Sequence, residues 1–134
     1  MGIRKRNKAN ILKAQKKKLA IAKLRNCPIS PRKMRSVADL LRGKEVGKAL
    51  NILKFNPRHA SKFLEKLLLS AISNWQSKNE DQSIESTEII VNEIKVDGGR
   101  ILKRLRPAPQ GRAHRIRKRS NHVTVILESN NEIK

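Results

Sequence analysis

The chain has 134 residues, a formal net charge of +21 and only 2% aromatic residues, so it is sized for one domain with a modest core. Its single cysteine, Cys27, excludes an internal disulfide framework, and no apolar run reaches signal-peptide or transmembrane length, so the protein is expected in the cytoplasm. The charge is segregated: residues 1–36 hold 13 Lys/Arg and residues 98–119 hold nine, all without an acid, while residues 37–97 carry nine of each sign. A surface built for solubility would interleave the signs. Two acid-free blocks around a neutral middle point instead to a folded body with cationic extensions that meet a polyanion.

Residues 1–21 read as a basic N-terminal extension with weak helical character, because Ile11, Leu12, Leu19 and Ile21 are spaced too raggedly for an amphipathic face. The remainder, 22–134, reads as a single domain. A short strand is expected over residues 25–29. Ser30 and Pro31 form an N-cap and first-position proline pair, and Met34, Val37, Ala38 and Leu41 then recur at helical spacing up to Gly43. A second helix follows on Val46, Ala49, Leu50 and Leu53. Asn56-Pro57 repeats the start signal for a third, whose stripe of Ala60, Phe63, Leu64, Leu67, Leu68, Ala71, Ile72 and Trp75 belongs to the core.

After a polar loop at 78–86, residues 87–96 read as a β-branched strand, with Ile90, Ile94 and Val96 expected on one face and Ile89 and Val91 on the other. A second apolar strand covers 123–127. Between them, two cationic legs, 100–106 and 112–119, flank the turn sequence Pro107-Ala108-Pro109-Gln110-Gly111. Asp97-Gly98-Gly99 offers either a tight turn in a compact sheet or a bend in one long hairpin. On the returning leg only Ile116 suits a core, so the long hairpin is favoured, an arm over about residues 98–119. Such a hairpin is marginal alone in water and calls for a phosphate-rich surface. The predicted architecture is therefore α+β: three helices packed on a small antiparallel sheet, a long protruding β-hairpin and a basic N-terminal extension.

Enzymatic chemistry finds no footing. His59, His114 and His122 lie apart without metal-ligand spacing, no phosphate-cradling glycine loop is present, and carboxylates are scarce where the basic surface lies. No metal, cofactor or small-molecule substrate is expected. Phe55, Phe63 and Trp75 all lie outside the basic blocks, which favours phosphate and groove contacts over base stacking. Charge alone leaves an RNA-binding protein, an architectural DNA-binding protein and, more weakly, a membrane-active cation.

Specific motifs narrow this. Ser30-Pro31-Arg32-Lys33-Met34-Arg35 with Val37-Ala38-Asp39-Leu40-Leu41-Arg42-Gly43-Lys44, then Lys66-Leu67-Leu68 with Ser70-Ala71-Ile72, resemble the helices of the bacterial large-subunit ribosomal protein twenty-two family. Gly111-Arg112-Ala113, Arg115-Ile116, Lys118-Arg119-Ser120 and His122-Val123-Thr124-Val125 resemble its C-terminal signature, and the likeness runs from about residue 22 to 128.

The resemblance implies a structural constituent of the large ribosomal subunit that supports assembly, with partners in large-subunit ribosomal RNA, neighbouring ribosomal proteins and the nascent polypeptide. It implies no membrane partner. RNA contacts are expected at Arg32, Lys33, Arg35, Arg100, Lys103, Arg104, Arg106, Arg112, Arg115, Arg117, Lys118 and Arg119. The hairpin tip facing the peptide exit tunnel maps to Leu102, Lys103, Arg104, Pro107, Ala108, Pro109, Gln110, Gly111 and Arg112. The family tip usually reads Pro-Arg-Ala-Lys/Arg-Gly-Arg. Here Ala108 and Gln110 stand where two cations are usual, and Pro109 is gained.

Overall fold

The computed structural model describes residues 2–79 and 87–129 of the chain. Helix α1 (Ile3–Lys18) leads into strand β1 (Ala20–Cys27). Helices α2 (Pro31–Ala38), α3 (Val46–Phe55) and α4 (His59–Gln76) follow, then strands β2 (Ile89–Pro107) and β3 (Ala113–Ser129). The sheet is antiparallel with order β1-β3-β2, so β3 is central.

Four helices are present rather than three. The additional one is α1, whose described side chains through Ala14 are all exposed. The strand expected at 25–29 instead runs over Ala20–Cys27 and pairs Ala20 with Leu127 through Leu24 with Val123. Its alternation was hidden because the inward positions are Ala20 and Ala22, and alanine is poor in strands by composition. Small side chains suit this strand because α4 packs against it. Asn74 Nδ2 donates to the Ile21 carbonyl at 3.0 Å across that contact.

The helix signals landed close to their mark. Ser30 precedes α2, and Gly43 ends the following turn with φ 68°, the left-handed conformation that glycine adopts freely. Leu41 lies beyond the end of α2 but is buried in that turn. The third start was read two residues early. Asn56 Oδ1 accepts the Arg58 N–H at 3.1 Å, so Asn56-Pro57 form a turn ahead of α4 rather than its cap. The polar loop expected at 78–86 falls mostly outside the described residues.

The α4 stripe is buried as read, with Leu64, Leu68, Ala71 and Trp75 at its centre, and Phe63 and Ile72 packed at its edge. The faces of β2 differ from the period-two reading. Ile89, Val91, Ile94 and Val96 are all buried, because the register slips between Val91 and Glu93. One extra residue restores the same face after the bulge, so two opposite parities meet one core.

Beyond Asp97 the strands continue, as the long-hairpin reading requires. β1 contributes its last pair at Cys27–Asn121, while β2 and β3 stay paired to Pro107–Ala113. The sheet therefore drops from three strands to two at Asn121. That residue is fully buried, and its Nδ2 donates to the Ile29 carbonyl at 2.7 Å, pinning the root of the arm to the loop before α2.

Candidate nucleic-acid interface

The arm alternates by the usual period of two, and directly opposed residues share a face. One face carries the pairs Ile101–Arg119, Lys103–Arg117 and Leu105–Arg115; the other carries Leu102–Lys118, Arg104–Ile116 and Arg106–His114. Cations thus stand on both faces. All but one of these pairs avoid setting two permanent cations against each other, most by placing an aliphatic opposite a cation. The exception is Lys103–Arg117. This arrangement limits like-charge repulsion, lets long stems lie over the aliphatics and leaves the charged heads outermost.

The sequence reading had credited the returning leg with Ile116 alone. The aliphatics that matter sit on the outgoing leg, at Ile101, Leu102 and Leu105, and they remain partly exposed. Ion pairing divides the molecule in the same way. The pairs Arg42–Asp39, Lys48–Glu45 and Lys95–Glu93 all lie in the neutral middle, and among the described residues no arm cation meets a carboxylate.

At the tip, Gln110 and Gly111 have φ of 62° and 68°, and the Arg112 N–H donates to the Pro109 carbonyl at 3.4 Å. Consecutive left-handed residues are the mark of a type I′ hairpin turn, whose twist matches the strands it joins. The Ala108 N–H donates to the Arg112 carbonyl at 2.9 Å and closes the loop. The reversal is therefore made by Gln110-Gly111, with the prolines stiffening its approach.

At the root, an open cleft of about 930 Å³ lies between the arm, the loop before α2 and the start of α4. Lys33, Arg100, Lys118 and Arg119, four of the sequence-predicted contacts, line it together. Arg58 and His59 join them. Sequence reading missed both because they lie in the block of zero net charge; their position beside the helix-start signal was the available clue. Arg58 is held in place by the Ser36 hydroxyl and carbonyl, at 3.1 and 3.4 Å from Nη1. The side chain of Ser30 makes no capping bond, and neither α2 nor α4 has an acid in its first turn. The positive ends of both helices consequently add to the cleft's potential.

Arg35 sits apart from this group. Its Nε and Nη2 donate to the Val96 carbonyl at 3.3 and 2.9 Å, and Arg42 reaches the Ile94 carbonyl in the same way at 3.1 Å. Gly43 and Lys44 pair with Val91 through two 2.9 Å backbone bonds. Together these cover the outer edge of β2 along the body. Arg32 is exposed on α2 outside the cleft, and Lys103, Arg104, Arg106, Arg112, Arg115 and Arg117 are exposed along the arm.

Buried Cys27 is the one described cysteine, and desolvation pushes its thiol pKa up, away from reactivity. Among the described residues no cluster of His, Cys, Asp or Glu could hold a metal, and no helix is long and apolar enough to cross a membrane.

Comparison with known proteins places this architecture. The profile of the family described as ribosomal protein L22p/L17e matches residues 22–128. The chain belongs to that family. It is 66% identical over 131 residues to the large ribosomal subunit protein uL22 of Christiangramia forsetii, covering 98% of this chain and 97% of the relative. The protein of the same name from Flavobacterium johnsoniae is 64% identical, covering 95% and 93%. That from Bacteroides thetaiotaomicron is 57% identical, covering 98% of each. Members of the L22p/L17e family are structural ribosomal proteins, so the chain is not an enzyme.

Proposed function

We propose that this protein is built into the large ribosomal subunit in the cytoplasm, where it binds large-subunit ribosomal RNA and supports assembly. The observation that carries the reading is a two-stranded arm bearing nine cations on both faces with no acid between residues 98 and 119. A structure meant to lie on a polyanion needs cations on one side only. Cations all round suit an arm surrounded by phosphate, with the arginine forks bridging phosphate oxygens. The body then acts as the anchor, and neighbouring ribosomal proteins complete its surroundings.

Passage through RNA would carry the tip to the wall of the nascent-peptide exit tunnel, as the family resemblance implies. At about 3.3 Å per residue, the ten residues from Gly98 to Pro107 reach about 30 Å beyond the body. There the Ala108-Pro109-Gln110 departure would present fewer charges to the nascent polypeptide, altering stalling and macrolide response. Helix α1 adds a further basic surface for RNA at the outside of the subunit.

Sedimentation of ribosomes in a high-salt wash, with this protein followed by immunoblot, tests the reading. Retention in the large-subunit peak is expected. Release into light fractions, or recovery with chromosomal DNA, would refute it. Binding to isolated large-subunit RNA should weaken with a log–log salt slope of about −7 or steeper if about ten phosphates are contacted. Deleting residues 2–19 should slow subunit assembly; unchanged assembly would remove α1 from the proposal.

A further inference from the structure

We propose that the cleft at the root of the arm is a seat for an unpaired segment of RNA, taking bases on its apolar lining and phosphates on its cations. The inference rests on the RNA-binding reading above and adds a site and a ligand form to it. Four of its features converge.

Part of the lining is apolar, from Pro28, Ile29, Ala60 and Leu102, whereas a groove for phosphates alone has no use for such a surface. Five cations, Lys33, Arg58, Arg100, Lys118 and Arg119, share the lining with neutral polar groups, and no carboxylate is among them. That combination matches the two-part chemistry of an unstacked nucleotide, a flat aromatic base whose faces can stack, joined to an anion.

Pairing keeps bases stacked and out of reach. A duplex presents phosphates and groove edges, so only an unpaired strand can lay the face of a base against the apolar lining of this cleft.

Two planar groups are also poised to stack on bases. The His59 ring is exposed and held edge-on by Phe63, with ring centres 5.2 Å apart and planes at 85°. The Arg58 guanidinium is fixed through one nitrogen by Ser36, which leaves its flat face available. The lack of Phe, Tyr and Trp in the basic blocks had argued against stacking; His59 and Arg58 supply it from the neutral block.

Continuity decides the class of partner. Arg100, Lys118 and Arg119 belong at once to the cleft and to the arm, so a strand bound along the arm's root enters the cleft without leaving a cationic surface.

Photo-crosslinking tests this with the full chain and three RNAs: protein-free large-subunit RNA, a short unstructured oligoribonucleotide carrying 4-thiouridine, and a duplex of the same length. The expected result is base crosslinks to residues 28–33 and 58–60 from the first two. The duplex should compete poorly. His59→Ala should weaken binding of the oligoribonucleotide about tenfold without changing its salt slope, and His59→Phe should restore it. Lys33→Gln should instead make that slope shallower by about 0.7. Undiminished binding of large-subunit RNA with crosslinks on the arm alone would overturn the cleft assignment and leave the RNA-binding reading standing. So would equal competition by the duplex, or crosslinking of these peptides to a neighbouring protein in assembled subunits. Failure of the unaltered chain to bind any of the RNAs would overturn both.

Discussion

The body and the arm are built from the same two strands, β2 and β3, yet they solve opposite problems. In the body, β3 is flanked on both sides, one face packs on helices, and the exposed edge of β2 is closed by Arg35, Arg42 and the turn at Gly43-Lys44. Toward the tip from Asn121, β1 has ended, and among the described residues no helix covers the hairpin and no strand pairs with its outer edges. The body buries its apolar groups and, among the described residues, leaves only Ser61 Oγ and Asn121 Oδ1 buried without a hydrogen-bond partner. The arm leaves backbone groups, cations and aliphatics to be satisfied by something else. Stability should therefore reside in the body and affinity in the arm, with the root as the place where the two are coupled.

The largest effect on stability is expected in the helix packed on the sheet. Leu68 is 1% exposed in the core cluster, and Leu68→Ala should lower unfolding free energy by about 2–5 kcal/mol in denaturant titration. A loss under about 1 kcal/mol would show that the core is looser than its burial indicates. The converse experiment is to replace Arg115, Arg117 and Arg119 together by Gln. Affinity for large-subunit RNA should drop roughly 100-fold and the salt slope become shallower by roughly 2–3, with the unfolding midpoint nearly unchanged. A large shift in midpoint with little change in affinity would invert the division between body and arm.

Much of this division was legible in the sequence because the two regions use different alphabets. The stripe on α4 and the acid-free run from residue 98 to 119 are each unambiguous, and the first became core and the second arm. Three features escaped for local physical reasons. The buried positions that define β1 are alanines, which signal helix as readily as strand. The bulge after Val91 changes the parity of β2 within one strand, which a fixed period cannot follow. Arg35, expected to contact RNA, also has a structural task that its charge did not announce: it closes a sheet edge by donating to the Val96 carbonyl. The cleft was invisible for a different reason, since its walls come from five separate stretches of chain.

The root should respond to a smaller change. A Cβ added at Gly99 would lie 2.6 Å from Ser120 Oγ and 3.1–3.2 Å from the Ser120 backbone. The hydroxyl can turn aside only by giving up its 2.7 Å bond to the Arg100 carbonyl, and the backbone contact would remain. Gly99→Ala is thus expected to shift the bulge between Gly98 and Ile101 and to destabilise the chain by roughly 1–3 kcal/mol. Because the root aims the arm, RNA affinity should fall as well, although no cation is removed. An unaltered affinity would mean that RNA, rather than the root, sets the arm's direction.

The smallest expected effect lies at the tip, where it separates two meanings of the sequence departure there. Gln110 occupies the first left-handed position of a turn that strongly prefers Asn-Gly. Gln110→Asn should relieve backbone strain without adding charge, raising amide-exchange protection near the tip by a few tenths to about 1 kcal/mol. Gln110→Lys adds charge while leaving the same unfavourable conformation in place. If stalling or macrolide response follows the lysine and ignores the asparagine, the departure acts through what the tunnel wall presents. If it follows the asparagine, the tip acts through its stiffness. If Ala108→Arg combined with Gln110→Lys changes neither response, the tip departure has no bearing on the nascent chain, and the proposed role of the arm is confined to RNA contacts.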